Sequence, residues 1–333
     1  MARVSSEDIA RVAQVSRATV SYVLNNRPGR RISDQTRQRI LDTARSLGYV
    51  PNPAALALRS GQSKIVLLRE YTKIPAAGHE IIPLGSTGGL LRDAVAREVR
   101  SWGMTLVSCG VGFPLAEALG HLTPSLVLAP GGLSNEDRAA LGQAFIPWYG
   151  SLPDGRAALD LLTKSLAGVQ AGHLAELGHH RVGYLNTSVE EIRDIAEPRE
   201  REFLNACERR GVDSTHRMSL GELNENTVRA CRDTLLRWRD DGVTAVACFN
   251  DLFAGIVIRS ARQLGWQVPG DLAVIGVDDE AMSWLLDPPL TTVRLRMADF
   301  GSYLAACGRA VLDGRSEPQF PGDLTPLVAR STT

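Results

Sequence analysis

The stretch VSRATVSYVLN, residues 15–25, follows directly on EDIARVAQ and decides how the first part of the chain folds. Its composition suits a short helix, but only Val20, Val23 and Leu24 can face a core. Small side chains, hydroxyls and one arginine occupy the other positions. A helix that served packing alone would carry a wider apolar stripe. We therefore expect its outer face to contact something outside the protein.

Two further helices are predicted around this stretch. SSEDIARVAQ offers a serine cap and an acidic first turn before it, and SDQTRQRILDTARSLG, residues 33–48, offers a cap at Ser33 and a stop at Gly48. The intervening NNRPGRRIS has the composition of a loop. The sequence thus predicts an all-α head of about 50 residues, near the lower size limit for independent folding.

Charge is divided unevenly between this head and the rest of the chain. Residues 1–63 contain ten arginines and four acidic residues, a net charge of +6, whereas the whole chain is neutral. A basic head on an acidic body favours a polyanionic partner for the head. On charge alone, a solvated basic face is an equally good interpretation.

From Lys64 onward, apolar runs alternate with amphipathic stretches. The predicted strands are KIVLL, MTLVSC, SLVLAP, RVGYLN, AVACFN and LAVIGVDD, and the predicted helices cover residues 88–103, 166–179, 199–211, 227–242 and 252–265. This alternation is typical of doubly wound parallel sheets, here in two lobes. Ligands of such folds bind outside the carboxyl ends of the strands.

Several classes of protein are disfavoured by composition. The five cysteines are widely spaced and form no CxxC, which argues against a disulfide framework or a zinc site. We find neither a signal-peptide pattern nor an apolar run long enough to span a membrane, so we expect a soluble, cytoplasmic protein with no membrane partner. No serine elbow, HExxH or acid/base pair is present, so we predict no catalytic residue, no metal site and no cofactor.

The first two predicted helices, joined by a tight turn, fit a helix-turn-helix, whose second helix lies in the major groove of DNA. Arg17 and Ala18 lie next to each other on its outer face, and Tyr22 lies about one turn further on. Arginine pairs bidentately with guanine, and helix N-terminal amides bind phosphate. After this head, PAALALR, residues 53–59, is a short helix-competent segment between prolines. It is either a flexible linker or a segment that folds only when bound.

These segments together resemble the lac repressor (LacI/GalR) family. The resemblance runs from EDIARVAQVSRATVSYVLNNRP through ISDQTRQRILDTARSLGYVPNPAALALRSGQSK, and resumes in HLAELGHHRVGYLN, AVACFNDLFAGIVIRSARQLGWQVPGDLAVIGVDD and DPPLTTVR. It implies a homodimeric transcription regulator, most often a repressor, that binds a pseudo-palindromic operator in double-stranded DNA. It also implies a helix-turn-helix head, a hinge helix and a two-lobed, periplasmic-binding-protein-like body.

The resemblance implies domain boundaries and DNA contacts as well. The implied head is 1–50, the hinge 51–63 and the body 64–333, with one lobe formed by about 64–163 plus 291–322 and the other by about 164–290 plus 323–333. Arg17, Ala18 and Tyr22 would contact bases, while Ser16, Thr19, Ser21 and Asn25 would hold phosphates. In the minor groove, Leu58 would wedge between base pairs with Arg59 beside it.

In the body, the resemblance implies a small effector, sugar-like or purine-like, bound between the lobes. The residues carried over to this site are Arg199, Asn250, Asp251 and Asp278. Read from the residues alone, Asn250 and Asp251 could instead form a helix cap, and Asp278 with Asp279 could form a solvated turn.

The chain also departs from the family pattern. Gln14 stands in a turn where the family usually has glycine, which would cost about 1–2 kcal/mol if its φ is positive. Residues 69–91, REYTKIPAAGHEIIPLGSTGGLL, lack the usual pocket motif of the first lobe, and Leu161, Leu162 and Thr163 replace another. An unusual effector, or none, therefore stays open. A soluble sugar-binding protein and an enzyme on the same scaffold are the weaker alternatives.

Overall fold

The computed structural model describes residues 4–24, 32–49, 63–70, 87–110, 112–150, 158–221 and 224–333, within two compact units, Met1–Ser63 and Lys64–Thr333. The first unit contains three helices: α1 (Ser6–Val12), α2 (Arg17–Leu24) and α3 (Asp34–Ser46). The predicted helical head is confirmed.

Serine side chains cap the helices of the head, as predicted. The Ser5 hydroxyl accepts a hydrogen bond from the Asp8 amide, and the Asp8 carboxylate accepts one from the Ser5 amide, which completes a capping box on α1. The Ser33 hydroxyl accepts one from the Thr36 amide at the start of α3. Between α1 and α2, Gln14 has a φ of 51°, the left-handed conformation that its turn demands.

A small apolar core joins the three helices of the head. Its fully buried members are Ile9, Val20 and Ile40, one from each helix, and Val23 and Ala44 lie beside them. Since α2 buries only Val20 and Val23 completely, the outer face of this helix is left to other contacts.

The second unit opens with a four-stranded parallel sheet in the order β2-β1-β3-β4. Its elements, in chain order, are β1 (Ile65–Arg69), α4 (Thr87–Ser101), β2 (Thr105–Cys109), α5 (Leu115–His121), β3 (Leu126–Leu128), α6 (Asn135–Gln143) and β4 (Trp148–Tyr149). Leu67 faces α5 and α6, whereas Val66 and Leu68 belong to the core on the opposite face.

A six-stranded sheet follows, in the order β10-β9-β8-β7-β5-β6, and only β10 is antiparallel. Its elements are α7 (Ala158–Glu176), β5 (Arg181–Thr187), α8 (Arg193–Glu208), β6 (Asp213–Leu220), α9 (Glu225–Asp240), β7 (Ala245–Cys248), α10 (Asp251–Gln263), β8 (Ala273–Asp278), α11 (Ala281–Leu285), β9 (Thr291–Arg294), α12 (Met297–Asp313) and β10 (Leu327–Val328). Strands β7 and β8 are buried along their whole length, as expected of central parallel strands.

Helices cover both faces of the second sheet. α7 and α8 contribute to the same core cluster as α4 and α12, and α9 and α10 pack on the other face. Because one cluster contains residues of both sheets, the two lobes share apolar packing. The doubly wound architecture predicted from the alternating pattern is confirmed.

The resemblance places residues 291–322 in the first lobe, but the beginning of that range belongs to the second sheet. Thr291–Arg294 pair with β8 as β9 of the second sheet, while α12 packs against α4. The polar strand β6 and the long helix α12 were not predicted either. β6 is an edge strand with a mostly polar sequence, DSTHRMSL, so it lacks the apolar run that marks the central strands.

Candidate functional site

The first candidate surface is the outer face of α2. Arg17 and Ala18 are exposed on this helix, whereas Val20 and Val23 are buried. The first turn of α2 contains no acidic residue. The positive end of the helix dipole and the Arg17 guanidinium therefore act together, which is the arrangement that attracts an anion.

Ser16 has a structural role in addition to the predicted phosphate contact. Its hydroxyl accepts a hydrogen bond from the Thr19 amide at 3.1 Å and lies 2.8 Å from the Thr19 hydroxyl. This bond caps α2 and keeps both hydroxyls at the exposed end of the helix. Ser21 and Tyr22 are partly buried. Asn25, and the hinge residues Leu58 and Arg59, lie outside the described residues, and the DNA contacts of this whole set stay predictions.

A second candidate site lies at the carboxyl edge of the six-stranded sheet. We call it the carboxyl-edge site and define it by Arg199 on α8, Phe249 after β7 and Asp278 at the end of β8. The Arg199 Nη1 donates to the Phe249 carbonyl at 3.0 Å, and its guanidinium lies over the Phe249 ring, 4.7 Å from the centroid. The aromatic face and the carbonyl hold this arginine in one orientation.

The two charges of the carboxyl-edge site are buried but incompletely paired. The Arg199 Nη2 lies 3.9 Å from the Asp278 Oδ1, and these side chains are only 11% and 5% exposed. Within the described part of the chain, the Arg199 Nε and the Asp278 Oδ1 have no hydrogen-bond partner. Burial raises the pKa of Asp278, and the nearby Arg199 opposes that effect. A buried donor and a buried acceptor without partners thus belong to two side chains whose nearest charged atoms are 3.9 Å apart.

Asn250 and Asp251, the other two predicted effector residues, are engaged with the protein. The Asn250 Oδ1 accepts a hydrogen bond from the Phe253 amide, so Asn250 caps α10. Asp251 is fully buried, and its Oδ1 and Oδ2 accept bonds from the Thr292 hydroxyl and the Glu280 amide. The structure gives Asp251 these two protein partners, and its contact with an effector stays a prediction.

The turn after β8 is not the solvated turn that the residues alone allowed. Asp278 and Asp279 both have positive φ, 102° and 55°. The Asp279 carboxylate accepts hydrogen bonds from Arg294 at 2.7 Å and from Arg330 at 2.5 Å. These two arginines keep the pKa of Asp279 below its usual value, although burial opposes them. Neither arginine was singled out from the sequence, since both lie more than ten residues further along the chain.

Among the described residues, no group of three or more histidine, cysteine or acidic side chains could hold a metal ion, and the five cysteines are buried and free. None of the helices described is both long and apolar enough to cross a membrane.

Comparison with known proteins identifies the family of both parts of the chain. Residues 7–52 match the model of bacterial regulatory proteins of the lacI family, and residues 171–333 match a periplasmic binding protein-like domain. The regulator GalR of Escherichia coli is 30% identical, with 97% of this chain and 94% of GalR covered. The regulator reg1 of Streptomyces lividans is 31% identical, with 98% and 95% covered. The chain is a helix-turn-helix transcriptional regulator, and it belongs to the LacI family.

Solved structures of LacI-family regulators have the same fold. The lac repressor bound to ONPG in the repressed state superposes with a TM-score of 0.76 at 20% identity and covers 100% of both chains. The regulator CelR in complex with cellobiose superposes with a TM-score of 0.60 at 24% identity, with 99% and 100% covered.

The buried carboxyl of Asp251 generates a prediction about pH and stability. Burial raises the pKa of Asp251 to about 7, against the hydrogen bonds from Thr292 and Glu280. The folded protein therefore keeps a proton at pH 5 that the unfolded chain has released, and this contribution to stability is lost as the pH rises through 7. Asp251→Asn, which stays neutral and can keep both hydrogen bonds, should gain stability over the wild type between pH 5 and pH 8, on the order of 2 kcal/mol.

Urea unfolding followed by tryptophan fluorescence measures this difference, since all five tryptophans lie in the body. Asp313→Asn is the control: hydrogen bonds from Arg309 and Arg315 lower the pKa of Asp313, so this carboxyl is ionised in both states across that range. If the difference in unfolding free energy between Asp251→Asn and the wild type stays constant from pH 5 to pH 8, the pKa of Asp251 is not raised.

Proposed function

We propose that the protein is a cytoplasmic repressor that binds a pseudo-palindromic operator as a homodimer. A small effector in the carboxyl-edge site raises or lowers the affinity of this dimer for the operator. The observation that carries the effector part is the pair of buried, unpartnered atoms, the Arg199 Nε and the Asp278 Oδ1. A regulator without an effector is the alternative, favoured by the first lobe, where the expected motif is missing from residues 69–91.

The DNA part of the proposal rests on α2. This helix is short, buries only Val20 and Val23, and presents Arg17 at its exposed N-terminal end. A recognition helix contacts bases with its N-terminal residues, and an exposed arginine there can pair with guanine. The net charge of +6 in residues 1–63 attracts the phosphates of the DNA backbone, whatever the base sequence.

Arg17→Ala should relax base preference at one position of each operator half-site and weaken specific binding by about 1–3 kcal/mol. Binding selection on randomised DNA measures both effects. Arg11→Ala is the matched control, because Arg11 lies on α1 and pairs with Asp8 at 2.7 Å. If Arg17→Ala selects the same sites as the wild type, Arg17 does not contact a base.

The effector proposed here has neighbouring groups that donate and accept hydrogen bonds. A hydroxyl can donate to the Asp278 Oδ1 while it accepts from the Arg199 Nε, which restores the two bonds that burial has removed. The Phe249 ring beside them offers an apolar face. Sugars combine hydroxyls with an apolar ring face, and purines combine ring nitrogens with a flat face, so both classes fit this chemistry.

The effector is tested on an operator obtained by the binding selection. The affinity of the protein for this operator is measured while sugars, sugar phosphates or purines are added. A true effector should shift operator affinity at least tenfold, about 1.4 kcal/mol of coupling. Arg199→Met should abolish the shift, and Arg201→Met, an exposed position on the same helix, should preserve it. If none of these compounds changes the operator affinity, the effector proposal is wrong and a regulator without an effector is favoured.

We propose that α11 and the groove beside it form a self-association surface. Trp284 and Leu285 on α11 are 70% and 82% exposed. The neighbouring groove is lined by Gly255, Ile258 and Leu286, with Arg259, Arg262 and Asp287 around it. A projection and a recess on the same surface can be complementary under a two-fold axis, and apolar groups inside a charged rim are typical of such interfaces. The occupant we propose is a second copy of this chain.

Trp284→Glu should weaken the homodimer at least a hundredfold, because it places a charge in the apolar part of the interface. Sedimentation equilibrium measures the dissociation constant of the full chain, and circular dichroism checks that the subunit stays folded. Phe145→Glu is the control, since Phe145 is 92% exposed in the turn after α6. Equal dissociation constants for Trp284→Glu and the wild type would place the interface elsewhere.

A further inference from the structure

The turn between α1 and α2 is closed by hydrogen bonds of the backbone. The Val15 amide donates to the Ala10 carbonyl at 3.0 Å, and the Gln14 amide donates to the Arg11 carbonyl at 3.4 Å. This pair of bonds is a Schellman motif, in which the residue after the helix cap takes a left-handed conformation and is most often glycine. Gln14 occupies that place with a φ of 51°. Glycine would make the same turn without the steric cost of a side chain.

The Gln14 side chain is not part of the core of the head. It is exposed, whereas Ala13 before it is buried and Val15 after it packs against the apolar core. Among the described residues, the Gln14 carboxamide has no hydrogen-bond partner. Residues held in a sparsely populated backbone conformation concentrate at functional sites. The turn itself does not require a glutamine here, but a contact with a ligand would.

Gln14 lies directly before the end of α2 that carries the exposed Arg17. Ser16 caps this end of the helix through the Thr19 amide. Three residues of backbone span at most about 11 Å, so Gln14 and Arg17 belong to neighbouring parts of the head surface. Since the chain is a helix-turn-helix regulator, the ligand of this surface is DNA.

A carboxamide at this place suits a phosphate oxygen of the DNA backbone. Its NH2 group can donate two hydrogen bonds, and glutamine is among the side chains that contact DNA phosphates. The first turn of α2 contains no acidic residue, so no carboxylate there repels a phosphate. A phosphate beside Gln14 would also be attracted by the positive end of the α2 dipole.

We propose that Gln14 is a DNA-contacting residue that donates a hydrogen bond to a phosphate next to the bases contacted by Arg17. The left-handed turn holds the carboxamide at the surface of the head, and the bond fixes the register of α2 in the major groove without reading a base. This inference rests on the proposed function, since it requires operator binding through α2.

The variants Gln14→Gly and Gln14→Ala test the contact in the full chain, on an operator obtained by binding selection. Both remove the carboxamide, so each should lower operator affinity at least fivefold in a dimer that loses the bond twice. They differ in the turn, because glycine relieves the strain and alanine keeps it. Hydrogen exchange of the α1 amides should therefore be slower than in the wild type for Gln14→Gly and no slower for Gln14→Ala. A purely structural role predicts that Gln14→Gly, with its better protected head, binds at least as tightly as the wild type.

Two further measurements identify the group that Gln14 contacts. Gln14→Gly and Gln14→Ala should select the same base sequence as the wild type and keep its salt dependence, because glutamine carries no charge. Gln14→Lys should recover the affinity and steepen the slope of log affinity against log salt by about 0.9 for each subunit. Gln38→Ala is the control and should stay within twofold of the wild type, since Gln38 lies on α3 and donates to Asp42 at 3.0 Å.

The outcomes separate this inference from the proposed function. A Gln14→Gly variant that binds the operator as tightly as the wild type overturns the contact. A changed base preference in Gln14→Gly and Gln14→Ala overturns the phosphate assignment and favours a base contact. A wild type that selects no DNA sequence, or whose selected sites are unchanged by Arg17→Ala, overturns the proposed binding through α2 and this inference with it.

Discussion

A charged group removed from water must find a partner, and this constraint organises the carboxyl edge of the second sheet. Parallel strands end at the same edge, so β7 and β8 deliver Phe249 and Asp278 to one place, and α8 supplies Arg199. Three neighbouring carboxylates meet this requirement differently. Asp279 has two arginines, Asp251 has a hydroxyl and an amide, and Asp278 has one arginine at 3.9 Å.

The number of hydrogen-bond partners distinguishes the residues that support the site from those that can bind a ligand. The groups with complete bonding form the framework, and the incompletely bonded pair, Arg199 and Asp278, is where a ligand gains most from binding. Unsatisfied buried groups destabilise a protein by about 1–3 kcal/mol each. A ligand that satisfies both atoms recovers part of that loss, and the same energy becomes available to shift a conformational equilibrium.

The head depends on a small apolar core and on helix caps rather than on buried charges, because only a few apolar side chains are buried in it. Three short helices with one core residue each at full burial suffice for a fold, and capping by Ser5 and Ser33 compensates for their shortness. The remaining face of α2 is free to carry Arg17. Gln14, with its φ of 51°, shows that the turn between α1 and α2 keeps a left-handed conformation even without glycine.

The sequence by itself determined the elements whose signal is local. The caps, the apolar periodicity of the head and the fully apolar runs of β7 and β8 all depend on residues that are neighbours along the chain. The edge strand β6 escaped prediction because a strand exposed on one side needs no apolar run. The environment of Asp251 was decided only by the tertiary structure, since its partners Glu280 and Thr292 are distant in sequence. A side chain's chemistry can be known from its identity, but whether it contacts a ligand depends on which hydrogen bonds the fold has already given it.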